Sequence, residues 1–228
     1  MYVPNYVPDP IEIPGNVTEE PYMVRLRYVK RVAALHVASL LVVIGIAHSP
    51  VSLPAGISWW PLAVMIMGLA IVRITLRRGP LEAKTSTWLL LPLLVAVGQA
   101  LNPIQANGWP LWTVVIGPSC ALIYSLVCGR DFSFMGQYFL SLIASSLFIA
   151  LASLVWPYSV PLPRGALLVN AAYLTYWVYD LASLLARRRL GEELAAVVDL
   201  YRDVLNFLGY IARCVGHWRK HRIWVLPR

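Results

Sequence analysis

Charge is scarce in this chain. Of its 228 residues only 13% are Asp, Glu, Lys or Arg, where a soluble domain carries about 25%. So little charge leaves little surface built for water and argues against a soluble globular protein. Cysteine is also sparse. Cys120, Cys128 and Cys214 lie in or beside apolar stretches without metal-ligand spacing, so they read as small buried apolar residues. No cleavable signal peptide is visible. Residues 1–21 contain Pro4, Pro8, Pro10, Pro14 and Pro21 and no apolar run, and read as a tail that is disordered or lies on the surface. Acidic residues number 11 against 19 Lys and Arg, a net charge of +8. This excess is not a nucleic-acid signature, because the basic residues cluster beside apolar segments.

What is abundant is apolar sequence, 59% of the chain. Seven candidate segments follow the tail, at residues 32–48, 58–76, 86–101, 109–128, 134–156, 165–186 and 194–216. Each is apolar on nearly all faces, which predicts membrane helices rather than soluble amphipathic ones. Seven spans of about 20 residues use most of the chain. The expected organisation is an N-terminal tail over 1–24, a helical bundle over 25–217 and a basic tail over 218–228. Trp59, Trp60, Trp88, Trp109, Trp112 and Trp156 sit at or near segment ends, where indole rings prefer the membrane–water interface. Pro92 and Pro118 interrupt apolar segments, as membrane helices tolerate.

The loops alternate in charge. Arg25, Arg27, Lys30 and Arg31 precede the first segment; Arg77, Arg78 and Lys84 follow the second; Arg130 follows the fourth; Arg187, Arg188 and Arg189 follow the sixth. Basic loops stay inside, so the N-terminus is expected in the cytoplasm. Asn16-Val17-Thr18 fits a glycosylation sequon, without meaning on that side. The seventh segment breaks the pattern. Arg219, Lys220, Arg222 and Arg228 crowd its far end, so it either spans as a buried central helix or is re-entrant.

Two carboxylates carry the chemistry. Asp180 lies deep in the sixth segment and Asp203 in the seventh. A turn near Leu190 makes the segments antiparallel and puts both aspartates about 15–20 Å from it. At comparable depth they can face each other. A buried ionised carboxylate costs several kcal/mol unless paired, so such residues usually mark ion or proton pathways. Two in proximity titrate as one system and can share a proton. The bland alternative is that Arg73, Arg202 or Arg213 neutralises them and they only hold helices together. Asp199, Asp203, Asn206 and Tyr210 fall on one helical stripe, as for a polar face lining a cavity, a helix contact or a wetted re-entrant face. Arg73 reads as snorkelling to the interface or as reaching an aspartate within the bundle. His36 reads as a satisfied core histidine.

The stretch Arg130-Asp131-Phe132-Ser133-Phe134-Met135-Gly136 resembles the turn between the fourth and fifth helices of the Bax inhibitor-1 family. Tyr201, Asp203, Asn206, Tyr210, Arg213 and Gly216 match that family's seventh helix in register, and Tyr176, Tyr179 and Asp180 its sixth. The opening Arg27-Tyr28-Val29-Lys30 is similar to the family's first helix. The resemblance covers residues 25–216. It implies a seven-helix bundle with the seventh helix at its centre, and an aspartate pair, Asp180 and Asp203, acting as a pH sensor for calcium permeation. Calcium and protons would be the permeating and gating ions, with no resident cofactor and no metal site, and the lipid bilayer the main partner. Three positions depart from the pattern: Leu181 follows Asp180, Arg202 stands beside Asp203, and the second segment holds no glutamate.

Three functions compete. The first is a proton-gated calcium leak. The second is an intramembrane aspartyl protease. Tyr179-Asp180 fits half of that signature, but Leu200-Tyr201-Arg202-Asp203 lacks the Gly-x-Gly-Asp of the other half. The third is a scaffold that regulates a protease or death pathway through membrane-protein partners. The compact loops favour a bacterial inner membrane.

Overall fold

A computed structural model describes residues 13–209, apart from 52, 55, 78, 130–134 and 161 and the side chains of 135, 159 and 205–209. Within them the fold is all-α: α1 Tyr22–Ala47, α2 Trp60–Leu76, α3 Pro80–Ala106, α4 Thr113–Cys128, α5 Met135–Val155, α6 Pro163–Leu184 and α7 Glu193–Gly209. Proline stands in the first turn of α2, α3 and α6, where its missing N–H costs nothing. Pro92 and Pro103 are accommodated inside α3, and Pro118 inside α4.

The helices are longer than the apolar runs in two places. α1 begins at Tyr22, so Arg25, Arg27, Lys30 and Arg31 are helical and not a loop before the helix. α3 extends the 86–101 segment at both ends. Hydropathy marks only the stretch that suits lipid, and a helix continues past it wherever backbone hydrogen bonding does.

The bundle is apolar outside and charged inside. Val64, Met67, Ile71 and Ile74 form an exposed stripe on α2, and Leu140, Ile143, Leu147, Leu151 and Leu154 another on α5. Apolar residues at helical spacing facing outward suit lipid, not water. Tyr22–Ala47, Pro80–Ala106 and Gly136–Val155 are long and apolar enough to cross a membrane, and Trp60–Leu76 and Thr113–Cys128 are shorter apolar helices. The class is therefore a polytopic α-helical membrane protein.

α7 is the polar helix of the bundle. It packs against α1, α3 and α6. Residues 195–203 are all buried, so the helix is enclosed around its whole circumference there. α4 packs against α1, α5 and α6, and α2 against α3. Residues 13–20 lie over the turn joining α6 to α7 and include a short 3-10 turn, Val17–Glu19, capped by Asn16.

Candidate ion-pair site at the α6–α7 turn

Asp180 sits one turn before the end of α6 and is 2% exposed. Ser183, three residues on, donates its hydroxyl to Asp180 Oδ1 at 2.9 Å, and the Tyr176 hydroxyl donates to Oδ2 at 3.3 Å. Tyr176 also donates to the Leu200 carbonyl, tying α6 to α7. Asp203 faces this group from α7. Between the two aspartates stands a guanidinium. Arg187 Nη2 donates to Asp180 Oδ1 at 2.5 Å and Nη1 to Asp203 Oδ2 at 2.5 Å. The planar fork of arginine can serve two acceptors at once, which the point charge of lysine cannot.

A second layer lies beside the first. Arg188 holds Glu82, in the first turn of α3, through Nη1 to Oε2 at 2.7 Å and Nη2 to Oε1 at 3.1 Å. Ser86 supports the same carboxylate at 3.0 Å. Arg188 Nε reaches Asp199 Oδ2 at 2.7 Å. Arg73, from α2, lies 3.4 Å from Asp199 Oδ1. Arg202 joins the layers, with Nη2 2.6 Å from Asp199 Oδ1 and Nε 3.0 Å from Asp203 Oδ1. Four carboxylates thus meet four guanidiniums. Asp180, Asp199, Asp203, Glu82 and Arg188 are buried as completely as core leucines. Charges buried to this degree persist only when paired and hydrogen-bonded. Burial works against the charge on Arg187 and Arg188, but the carboxylates outweigh it and both are held above their ordinary pKa.

A neutral cluster borders the lattice. His36 Nε2 is 2.7 Å from the Tyr173 hydroxyl, and Ser39 Oγ is 2.7 Å from that of Tyr201, whose ring is 5.0 Å from His36.

Asp180 and Asp203 are thus brought together through a guanidinium, in place of the direct shared proton that their depth suggests. Asp199, Arg73 and Arg202 join them, and Arg73 reaches into the bundle instead of snorkelling outward. The Asn206 side chain, Tyr210 and Arg213 lie outside the described residues, as do residues 130–134 of the turn motif. Sequence reasoning missed three members. Arg187 and Arg188 read as orientation signals, and Glu82, outside every apolar segment, was not singled out. Arg187 follows Asp180 by seven residues, two helical turns, and that spacing carried the signal. Glu82 had only the weaker Ser86 spacing.

The geometry defines a polytopic membrane protein with a balanced ionic lattice around its central helix. Over 84 residues the chain is 31% identical to "Protein LIFEGUARD 3" of Arabidopsis thaliana, a stretch that is 36% of this chain and 34% of that protein. The chain therefore spans about a third of the length of the curated relative it matches. No family model and no solved structure matches it.

Proposed function

We propose that this chain is a pH-sensitive calcium-leak protein of the Bax inhibitor-1 family, with no catalytic activity. Its location would be a bacterial inner membrane with the N-terminus in the cytoplasm. The similarity to Protein LIFEGUARD 3 supports a distant relation to that family, as do the matched residues of the sixth and seventh helices. The observation that carries the mechanism is Arg187 bridging Asp180 and Asp203. With both carboxylates ionised, the bridge locks α6 to α7 and the path is closed. As pH falls, a proton neutralises one carboxylate, its ion pair to Arg187 is lost, and the helices can part. Further protonation removes the negative charge that draws calcium inward, so flux should rise from pH 8, peak, and decline toward pH 5.

The test is dye-reported calcium uptake into proteoliposomes holding only this protein, across pH 5 to 8. Asp203→Asn and Asp180→Asn should each flatten the profile. The double substitution should add little, because the two titrate as one system. Folded variants that reproduce the wild-type profile would sink the sensor reading.

A second reading is a non-conducting scaffold acting on membrane-protein partners. The observation favouring it is Arg202, which pairs with Asp199 and Asp203 beside Arg187 and Arg188. If Arg202 silences the response, Arg202→Leu should restore one. Absence of flux in both proteins would put the scaffold ahead.

A further inference from the structure

The segment before α1 is docked on the one turn that holds both arginine hubs. Ile13 N–H donates to the Ala186 carbonyl at 3.2 Å, and Val17 N–H to the Arg188 carbonyl at 3.0 Å. Arg189 Nε donates back to the Pro14 carbonyl at 3.3 Å. These bonds bracket Arg187 and Arg188. The segment is locally built for the job. Asn16 caps the short helical turn by accepting from Thr18 N–H at 2.9 Å, and its amide donates to the Ile13 carbonyl at 2.8 Å. Glu19 accepts from Gly15 N–H at 3.2 Å. Val17 is completely buried and belongs to the main apolar core together with Tyr28, Leu184 and Val198. A valine with no exposed surface and main-chain bonds to a distant turn mark a docked strap, not a tail resting on a surface.

We propose that residues 13–20 are a regulatory strap that fixes the α6–α7 turn, so that undocking them loosens both ion-pair layers and opens the path at higher pH. The inference deepens the leak reading, because the clamped turn carries that reading's Arg187. The groups facing the turn are Tyr28 and Arg31 from α1, Arg73 from α2, Glu82 from α3, Tyr176 and Asp180 from α6, Glu193, Asp199, Arg202 and Asp203 from α7, and Arg189 and Glu192 within the turn itself. Undocking changes none of these charges. It removes the restraint on the backbone that aims the guanidiniums at them.

Val17→Pro tests the strap on the full chain. Proline lacks the N–H that reaches Arg188, yet suits the first position of a helical turn. Asn16, with φ −74° and ψ 166°, already has the extended backbone required before proline. Asn16→Ala, which keeps the Val17 N–H and removes the cap, is a second and independent variant. Hydrogen exchange should accelerate about tenfold at the Arg187, Arg189 and Glu192 amides in both variants, the scale of one lost hydrogen bond, with α4 and α5 unchanged. In proteoliposomes, the calcium leak should begin at a higher pH. Unaltered exchange at the turn in both variants would overturn the strap. Faster exchange with an unaltered leak profile, in a wild type that conducts, would overturn its regulatory role. A wild type that never conducts defeats the leak reading, and turn exchange alone then decides whether the segment clamps.

Discussion

Replacing Arg187 by leucine would leave Asp180 and Asp203 buried with one ionic partner removed from each. Breaking a buried pair from one side costs about 3–5 kcal/mol, because the stranded charge stays desolvated. Arg187→Leu should therefore lower the thermal midpoint in detergent by several degrees. Arg187→Lys should recover only part of the loss, since an ammonium cannot fork to both acceptors. Adding Asp180→Asn and Asp203→Asn to Arg187→Leu should raise the midpoint again. A single Arg187→Leu that melts with the wild type would mean that the bridge contributes nothing to the fold. The two aspartates were legible in the sequence because a carboxylate within an apolar segment is costly wherever it points. Arg187 was not, because arginine just past an apolar segment has a sufficient explanation in membrane orientation. Glu82 lies 106 residues from its partner Arg188, a pairing that no local spacing encodes.

At the scale of elements, α1 and α3 approach closely at Gly98. A β-carbon there would lie 2.6 Å from Ile46 Cβ and Cγ2 and 3.1 Å from the Val43 carbonyl oxygen. Gly98→Ala should destabilise by about 1–3 kcal/mol through overpacking. Gly68→Ala in α2, where a β-carbon meets nothing within 4 Å, should be neutral or slightly stabilising. Thermal unfolding of the two variants side by side checks both; equal midpoints would contradict the close approach. The existence of each helix was legible from apolar runs, whereas several ends were not. The basic residues of α1 suit a helix beyond the lipid as well as they suit a loop, so composition did not separate the two. The strap was hidden for a similar reason. Five prolines read as a tail that is disordered or lies on the surface, while the cap formed by Asn16 and Thr18 carried the signal for local structure in two residues.

For the whole molecule, the structure gathers the strap, Glu82 and the α6–α7 turn at one end of the bundle. That end is the one expected in the cytoplasm from the basic loops. In a background lacking Cys120, Cys128 and Cys214, Leu190→Cys should resist an impermeant thiol reagent in intact cells. Tyr158→Cys, 98% exposed in the α5–α6 connection at the other end of α6, should react. Labelling at position 190 with protection at 158 would invert the orientation. The expectation for that side rests on the alternation of basic residues along the sequence. The charged interior was legible in part, since a carboxylate inside an apolar segment is costly unless it faces the bundle.

Arg187 and Arg188 are consecutive residues, yet they grip different carboxylates on different helices. A single peptide unit joins the two grips, so a shift of that backbone displaces both guanidiniums together. On the proposed leak reading, release by movement of this turn is therefore concerted. The proton dependence of opening should be steeper than the titration of one isolated carboxylate, with a Hill coefficient above one, and inserting a glycine between the two arginines should bring it down toward one.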